Sequence, residues 1–228
     1  MIPGLDLVVA SHLMLAGYTP QCVLKQAPEI TVRAKGVDRE IDTTKSIRDL
    51  NTFKPMLNSA PLGTGDNVHV EGLTNGRIGM DATYEFSSET WPALSQTCLY
   101  VKKVTVVITL DPKIYVAREY APGTCHYNAV LQHEMKHFRV DRDVVNKYSN
   151  IILQELNNTL KRVGYKQGPF PAAQSQPYQQ SMGKLIATTI SSLSDIMNQE
   201  RQKRQAGVDT LEEYRRVDAL CPNKPRLR

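Results

Sequence analysis

Two histidines and a glutamate carry the most chemistry in this chain. They lie in His133-Glu134-Met135-Lys136-His137, an H-E-x-x-H motif. Residues four apart on a helix face the same way, about 6 Å from one another, so the two imidazoles can converge on one zinc ion. Glu134 is one residue round from His133 and can reach a water beside that ion. Zinc lowers the pKa of such a water toward about 7 and polarises a scissile carbonyl. Glu134 would accept the water's proton and later deliver it to the leaving amine. With 5 His and 11 Glu in 228 residues, an H-E-x-x-H arises by chance in about 0.5% of such compositions, so the motif merits a chemical reading.

Catalytic zinc takes three protein ligands and leaves one position open. The third is not obvious here. His137 is followed by FRVDRDVV, with no glycine to bend the helix and no further histidine. Glu155 shares the helical face, but at 1.5 Å per residue it lies about 27 Å along a continuous helix. Asp141 is about 12 Å of rise from His133, too far to complete the site, and reads as a supporting acid that orients a ligand histidine or as a structural charge. His126 precedes His133 by seven residues, and His69 falls on an expected strand. A carboxylate from a later helix remains, with Asp209, Glu212 and Glu213 as candidates. Asp209 and Glu212 already account for one another as a capping box, so elimination favours Glu213. Tyr214 and Tyr120 are candidates to steady an oxyanion.

The segment that must position the motif is Tyr127 to Val163, which has neither Gly nor Pro and repeats apolar residues at helical spacing. Thr124 is the expected N-cap and Gly164 the expected stop. Upstream, Glu29 to Lys35 alternates as a strand, and Thr52 to Asp66 reads as a loop. Val68 to Leu73 and Ile78 to Phe86 flank Thr74-Asn75-Gly76-Arg77, the signature of a hairpin. Cys98 to Leu110 is the most strand-like run, ended by Asp111-Pro112. A sheet edge can align an extended peptide by strand addition, and Val101 to Leu110 is a candidate for that role as well as for a core strand. Downstream, Gly168 to Pro177 reads as a linker. A second amphipathic helix follows through Met182, Leu185, Ile186, Ile190, Leu193 and Met197, then Gly207 and a short helix before Cys221-Pro222.

The formal charge of +5 and the 41% apolar content describe a globular, mildly basic chain. No run of five Lys or Arg occurs and aromatics are only 7%, so nucleic-acid binding is not expected. No stretch of 18 apolar residues is present, so no integral membrane segment is expected. Leu5 to Gly17 (LDLVVASHLMLAG) reads either as the remnant of a secretory signal or as an N-terminal helix. Four cysteines without a CxxC pair fit two disulfides in an oxidising compartment, with Cys98–Cys125 and Cys22–Cys221 as the expected pairs.

His133, Glu134 and His137 resemble the active-site helix of the zincin metallopeptidases. VKKVTVVITL, HEMKHF and QAGVDTLEEY together resemble a family of predicted secreted zinc-dependent peptidases. That resemblance implies a zincin-like fold, one catalytic Zn2+ and peptide hydrolysis. The expectation is therefore an α+β fold: an N-terminal antiparallel sheet region, then a long active-site helix and C-terminal helices. Residues 1–20 hold the signal remnant or helix. Residues 21–228 form one zincin-like domain, strand-rich over 21–125 and helical over 126–228. The expected function is a secreted or periplasmic zinc peptidase acting on a peptide or protein. Two alternatives stand beside it: a non-catalytic helical interaction protein, and a zinc amidase acting on cell-wall or other non-protein amides.

Overall fold

The computed structural model describes residues 20–36, 38–53 and 70–221. The expected signal remnant or N-terminal helix, His12, His69, Val68 and most of the 52–66 loop lie outside these residues. The rest is an α+β fold, as expected. Its strands are β1 (Glu29–Gly36), β2 (Glu40–Asp42), β3 (Gly72–Trp91), β4 (Gln96–Val116) and β5 (Lys166–Pro171). Its helices are α1 (Ile47–Asn51), α2 (Cys125–Val163), α3 (Ser175–Ala206) and α4 (Leu211–Leu220).

β4 is the spine. β3 runs antiparallel along its whole length, from Gly72 beside Val116 to Trp91 beside Gln96. The other side of β4 is shared end to end by β5, β1 and β2. The sheet is not purely antiparallel, because β1 and β2 run parallel to β4. Parallel neighbours need a long crossover, and the chain from Gly36 to Gln96 supplies it through α1 and β3. β5 brings the helical part of the chain back into the sheet, where a linker was expected.

The expected hairpin at Thr74 to Arg77 does not form. Asn75 and Gly76 sit inside β3, opposite Lys113 and Pro112, and the real turn is Pro92–Leu94 followed by Ser95 in the left-handed region. Gly76 serves a close approach instead: a Cβ there would run into the Asp141 carboxylate on α2. Asp111-Pro112 does not end β4 either. Those residues fall between the end of β1, at Leu110, and the start of β2, at Lys113, so proline's missing N–H breaks no ladder on that side. Val101 to Leu110 is flanked on both sides and cannot accept a peptide strand. Among the described residues β3 forms one edge of the sheet, and β5, β1 and β2 together form the other.

α2 spans 39 residues, about 58 Å. It packs one face of the sheet with α3. Val104, Val106 and Ile108 of β4 meet Val144, Tyr148, Ile152, Leu156 and Leu160 of α2 and Ile186, Ile190 and Met197 of α3. Thr124 caps α2 by accepting from the Tyr127 N–H, and Gly164 follows its last turn with a φ of 85°.

The cysteines pair as Cys22–Cys98 and Cys125–Cys221. The expected partners Cys98 and Cys125 lie towards opposite ends of β4, which rises about 60 Å between Cys98 and Val116. Each instead binds the segment beside it: Cys98 the incoming chain at Cys22, Cys125 the end of α4. Two disulfides are of the kind that persists in oxidising compartments. No described helix is long and apolar enough to cross a membrane.

Candidate metal centre

The site forms where the third and fourth turns of α2 meet β3, the end of α3 and the start of α4. His133 and Glu134 are buried, and Asp141 is completely so. His133 Nε2 and His137 Nε2 are 3.3 Å apart. Asp209 Oδ1, from the turn between α3 and α4, lies 3.0 Å from His137 Nε2 and 3.4 Å from His133 Nε2. These three residues form a group that could hold a metal ion. A tetrahedral ion with bonds of about 2.0–2.1 Å separates its ligand atoms by about 3.3–3.4 Å. The three donor atoms therefore match one face of such a tetrahedron, and two imidazoles with one carboxylate are a donor set that suits zinc.

Asp209, not Glu213, completes the group that could hold an ion. α4 begins one residue later than the capping-box reading required: Thr210 is its N-cap, and its hydroxyl accepts from the Glu213 N–H at 3.2 Å. Asp209 is thereby released from capping and turns to the histidines, with the Tyr214 hydroxyl donating to its Oδ1 at 3.0 Å. Glu213 stands on the far side of the His133 ring, its Oε1 3.4 Å from Nδ1, where it can hold the ring's orientation. It also pairs with Lys136 at 2.6 Å and with Arg216 at 2.8 Å. Glu212 is exposed.

Three alternate residues of β3 face the helix here. A Cβ on Gly72 would lie 2.7 Å from Glu134 Oε1, so the strand can come this close only without a side chain. The Thr74 hydroxyl donates to Glu134 Oε2 at 2.8 Å and lies 3.0 Å from the Glu134 carbonyl oxygen. Gly76 leaves room for Asp141. Glu134 thus has one carboxylate oxygen anchored by Thr74.

The charges are strongly coupled. Burial pushes the Glu134 carboxyl up, against the pull of His137, His133 and the Thr74 hydroxyl. Burial favours neutral His137, but its hydrogen bond to Asp209 and the charges of Glu134 and Asp209 outweigh this and push it up to about 9. Asp209 is affected the opposite way: burial would raise it, yet hydrogen bonds from His133 and His137 hold it well below the usual carboxylate range. Arg216 and Lys136 hold Glu213 down at about 2 despite partial burial. Burial and the neighbouring Asp209 push the Tyr214 hydroxyl up. Without metal the cluster is an imidazolium–carboxylate pair, and the proton is what a cation must displace.

Of the other candidates, Tyr214 reaches the site, its ring 5.5 Å from that of His133. Tyr120 does not; it stacks on His126 at 5.4 Å. His126 Nε2 is buried there with no hydrogen-bond partner and stays outside the cluster. Glu155 lies far along an unbroken helix. Asp141 touches no metal-facing atom; Arg201 Nε and Nη2 clamp it at 2.7 and 2.9 Å. Sequence reasoning missed Thr74, which no local pattern marks, and Gln205, whose place between Arg201 and Asp209 at four-residue spacing was the available signal. Comparison with protein-family models, curated proteins and solved structures returns no match.

Proposed function

We propose that this chain is a zinc-dependent peptidase of the zincin type, working in a secreted or periplasmic setting. The observation that carries the reading is a buried carboxyl, Glu134, on the same helical turn as His133 and interacting electrostatically with all three residues whose donor atoms are spaced for one tetrahedral ion. Burying a carboxyl is costly unless it is used or paired, and a purely structural metal site would have no need of it. His133, His137 and Asp209 would hold the ion. Zinc bound there supplies Lewis acidity, acidifying water and polarising a carbonyl.

The remaining roles belong to the chain. Glu134, anchored by Thr74 through Oε2, leaves Oε1 to accept a proton from the attacking water and pass it to the leaving nitrogen. Burial raises its proton affinity above that of a free carboxylate, which favours taking up the proton. Glu213 orients and charge-balances the His133 imidazole. The open edge of β3 passes beside Glu134 and can take an extended peptide by strand addition. The two disulfides support the compartment.

The test pairs labelled protein and labelled peptidoglycan with the parent and with Glu134→Gln. The expected result is protein cleavage by the zinc-loaded parent and none by the variant, which keeps its zinc. Cleavage of peptidoglycan alone would favour the amidase alternative. A zinc-loaded parent inert on both would favour the non-catalytic interaction protein.

A further inference from the structure

Two stretches of chain run antiparallel with the same spacing. On α2 the sequence reads His133, His137, Asp141; on the end of α3 and its turn it reads Arg201, Gln205, Asp209. Each is a repeat of four, so each presents one face. Asp209 meets the two histidines, Arg201 meets Asp141, and Gln205 stands between them.

Gln205 makes three hydrogen bonds. Its Nε2 lies 3.1 Å from the His137 carbonyl oxygen and 2.5 Å from Asp141 Oδ1, and its Oε1 lies 2.6 Å from His137 Nδ1. The first two partners can only accept, because one is a carbonyl and the other a carboxylate clamped by a guanidinium. The amide nitrogen must face them, so the amide oxygen must face the imidazole. An amide oxygen only accepts, so His137 Nδ1 must carry a proton. That leaves His137 Nε2, the atom turned toward His133 and Asp209, as the nitrogen whose lone pair a metal can take.

We propose that Gln205 is the positioning residue of the metal centre, fixing His137 with Nδ1 protonated and Nε2 directed at the ion. This rests on the metal-binding reading above. The Asp141–Arg201 pair is its foundation. Asp141 has no exposed surface, and Arg201 Nη2 also donates to the Gly76 carbonyl oxygen at 2.6 Å, which ties the network to β3. Asp141 therefore acts on His137 through Gln205 and not by direct contact. A neutral amide does here what a carboxylate often does beside a ligand histidine, with the carboxylates of Asp209 and Asp141 already on either side of His137 and Gln205.

The experiment compares the parent, Gln205→Leu and Glu200→Gln. Glu200 joins α3 to α2 through Lys147 at 2.6 Å and Tyr148 at 3.0 Å, away from the network, so its variant controls for helix packing. Zinc affinity is measured by competition with a chromophoric chelator. The His137 Nδ1–H is observed by 15N NMR with and without zinc. We expect Gln205→Leu to bind zinc about 10–100-fold more weakly and to lose the slowly exchanging Nδ1–H signal, while Glu200→Gln keeps both. An affinity for Gln205→Leu within twofold of the parent would overturn the proposal. So would a protected Nδ1–H that persists in that variant, or one that is absent from the parent. A parent that binds no zinc would sink the metal reading alone, since the Nδ1–H signal in metal-free protein still decides the role of Gln205.

Discussion

One face of α2 carries two kinds of chemistry at one spacing. His133, His137 and Asp141 repeat every four residues in its first half; Tyr148, Ile152, Leu156 and Leu160 do the same in its second. Both halves are largely buried and both pack against α3. The apolar half meets Val104, Val106 and Ile108 and is stabilised by leaving water, with no demand on partner geometry. The polar half gains nothing from burial alone. Every group in it needs a partner at a defined distance, and Thr74, Asp209, Gln205 and Arg201 supply those partners from three different elements. The apolar half fixes where the helix lies, and the polar half uses that rigidity to hold reactive groups in place.

Substitutions should separate the halves cleanly. The largest effect is expected from Glu134→Gln, which should cut peptide hydrolysis about 10²–10⁴-fold without lowering the melting temperature, because it removes a buried ionisable group while leaving an acceptor for Thr74. A melting temperature that drops as far as it does for a core truncation would erase the distinction. Leu156→Ala is the opposite case. Leu156 is fully buried, so its truncation should cost about 2–5 kcal/mol in chemical denaturation and leave zinc affinity near that of the parent while the protein stays folded.

Within the polar half, Asp209→Asn should weaken zinc binding by more than the roughly 10–100-fold that loss of a supporting hydrogen bond costs. Glu213→Gln should stay within that supporting range; the reverse order would restore Glu213 as the ligand. The smallest effect per step concerns pH. His137 is held protonated up to about pH 9 in the metal-free protein. Zinc uptake below that pH must release its proton, and apparent affinity should fall about tenfold for each unit of acidification while one proton is exchanged. A chelator titration across pH 7 to 9 in which affinity does not change would contradict the imidazolium–carboxylate pair.

The same contrast explains what could be read in the sequence. Apolar periodicity revealed α2 from Tyr127 onward, its cap Thr124, its stop Gly164 and the stripe of α3, because burial acts along one element at a time. His133, Glu134 and His137 were legible for the same reason: their spacing lies within one helix. The third corner was not, because a one-residue shift of the α4 cap, from Asp209 to Thr210, decides whether Asp209 caps a helix or faces the histidines. Asn75-Gly76 misled in a related way. The pair carries the local chemistry of a turn, but Gly76 is there for a carboxylate from a helix 65 residues further on. The disulfides depended on the same kind of distant information. Nothing local in the chain says that β4 is long enough to hold Cys98 and Cys125 apart.

Zinc content tests the central claim most directly. The parent, His133→Ala and Asp209→Asn would be purified without added metal, offered one equivalent of zinc, desalted, and counted by native mass spectrometry. The account predicts about one zinc per chain in the parent and none retained by either variant. A parent that retains no zinc, or an Asp209→Asn variant that holds it as firmly as the parent, would contradict the centre built from His133, His137 and Asp209.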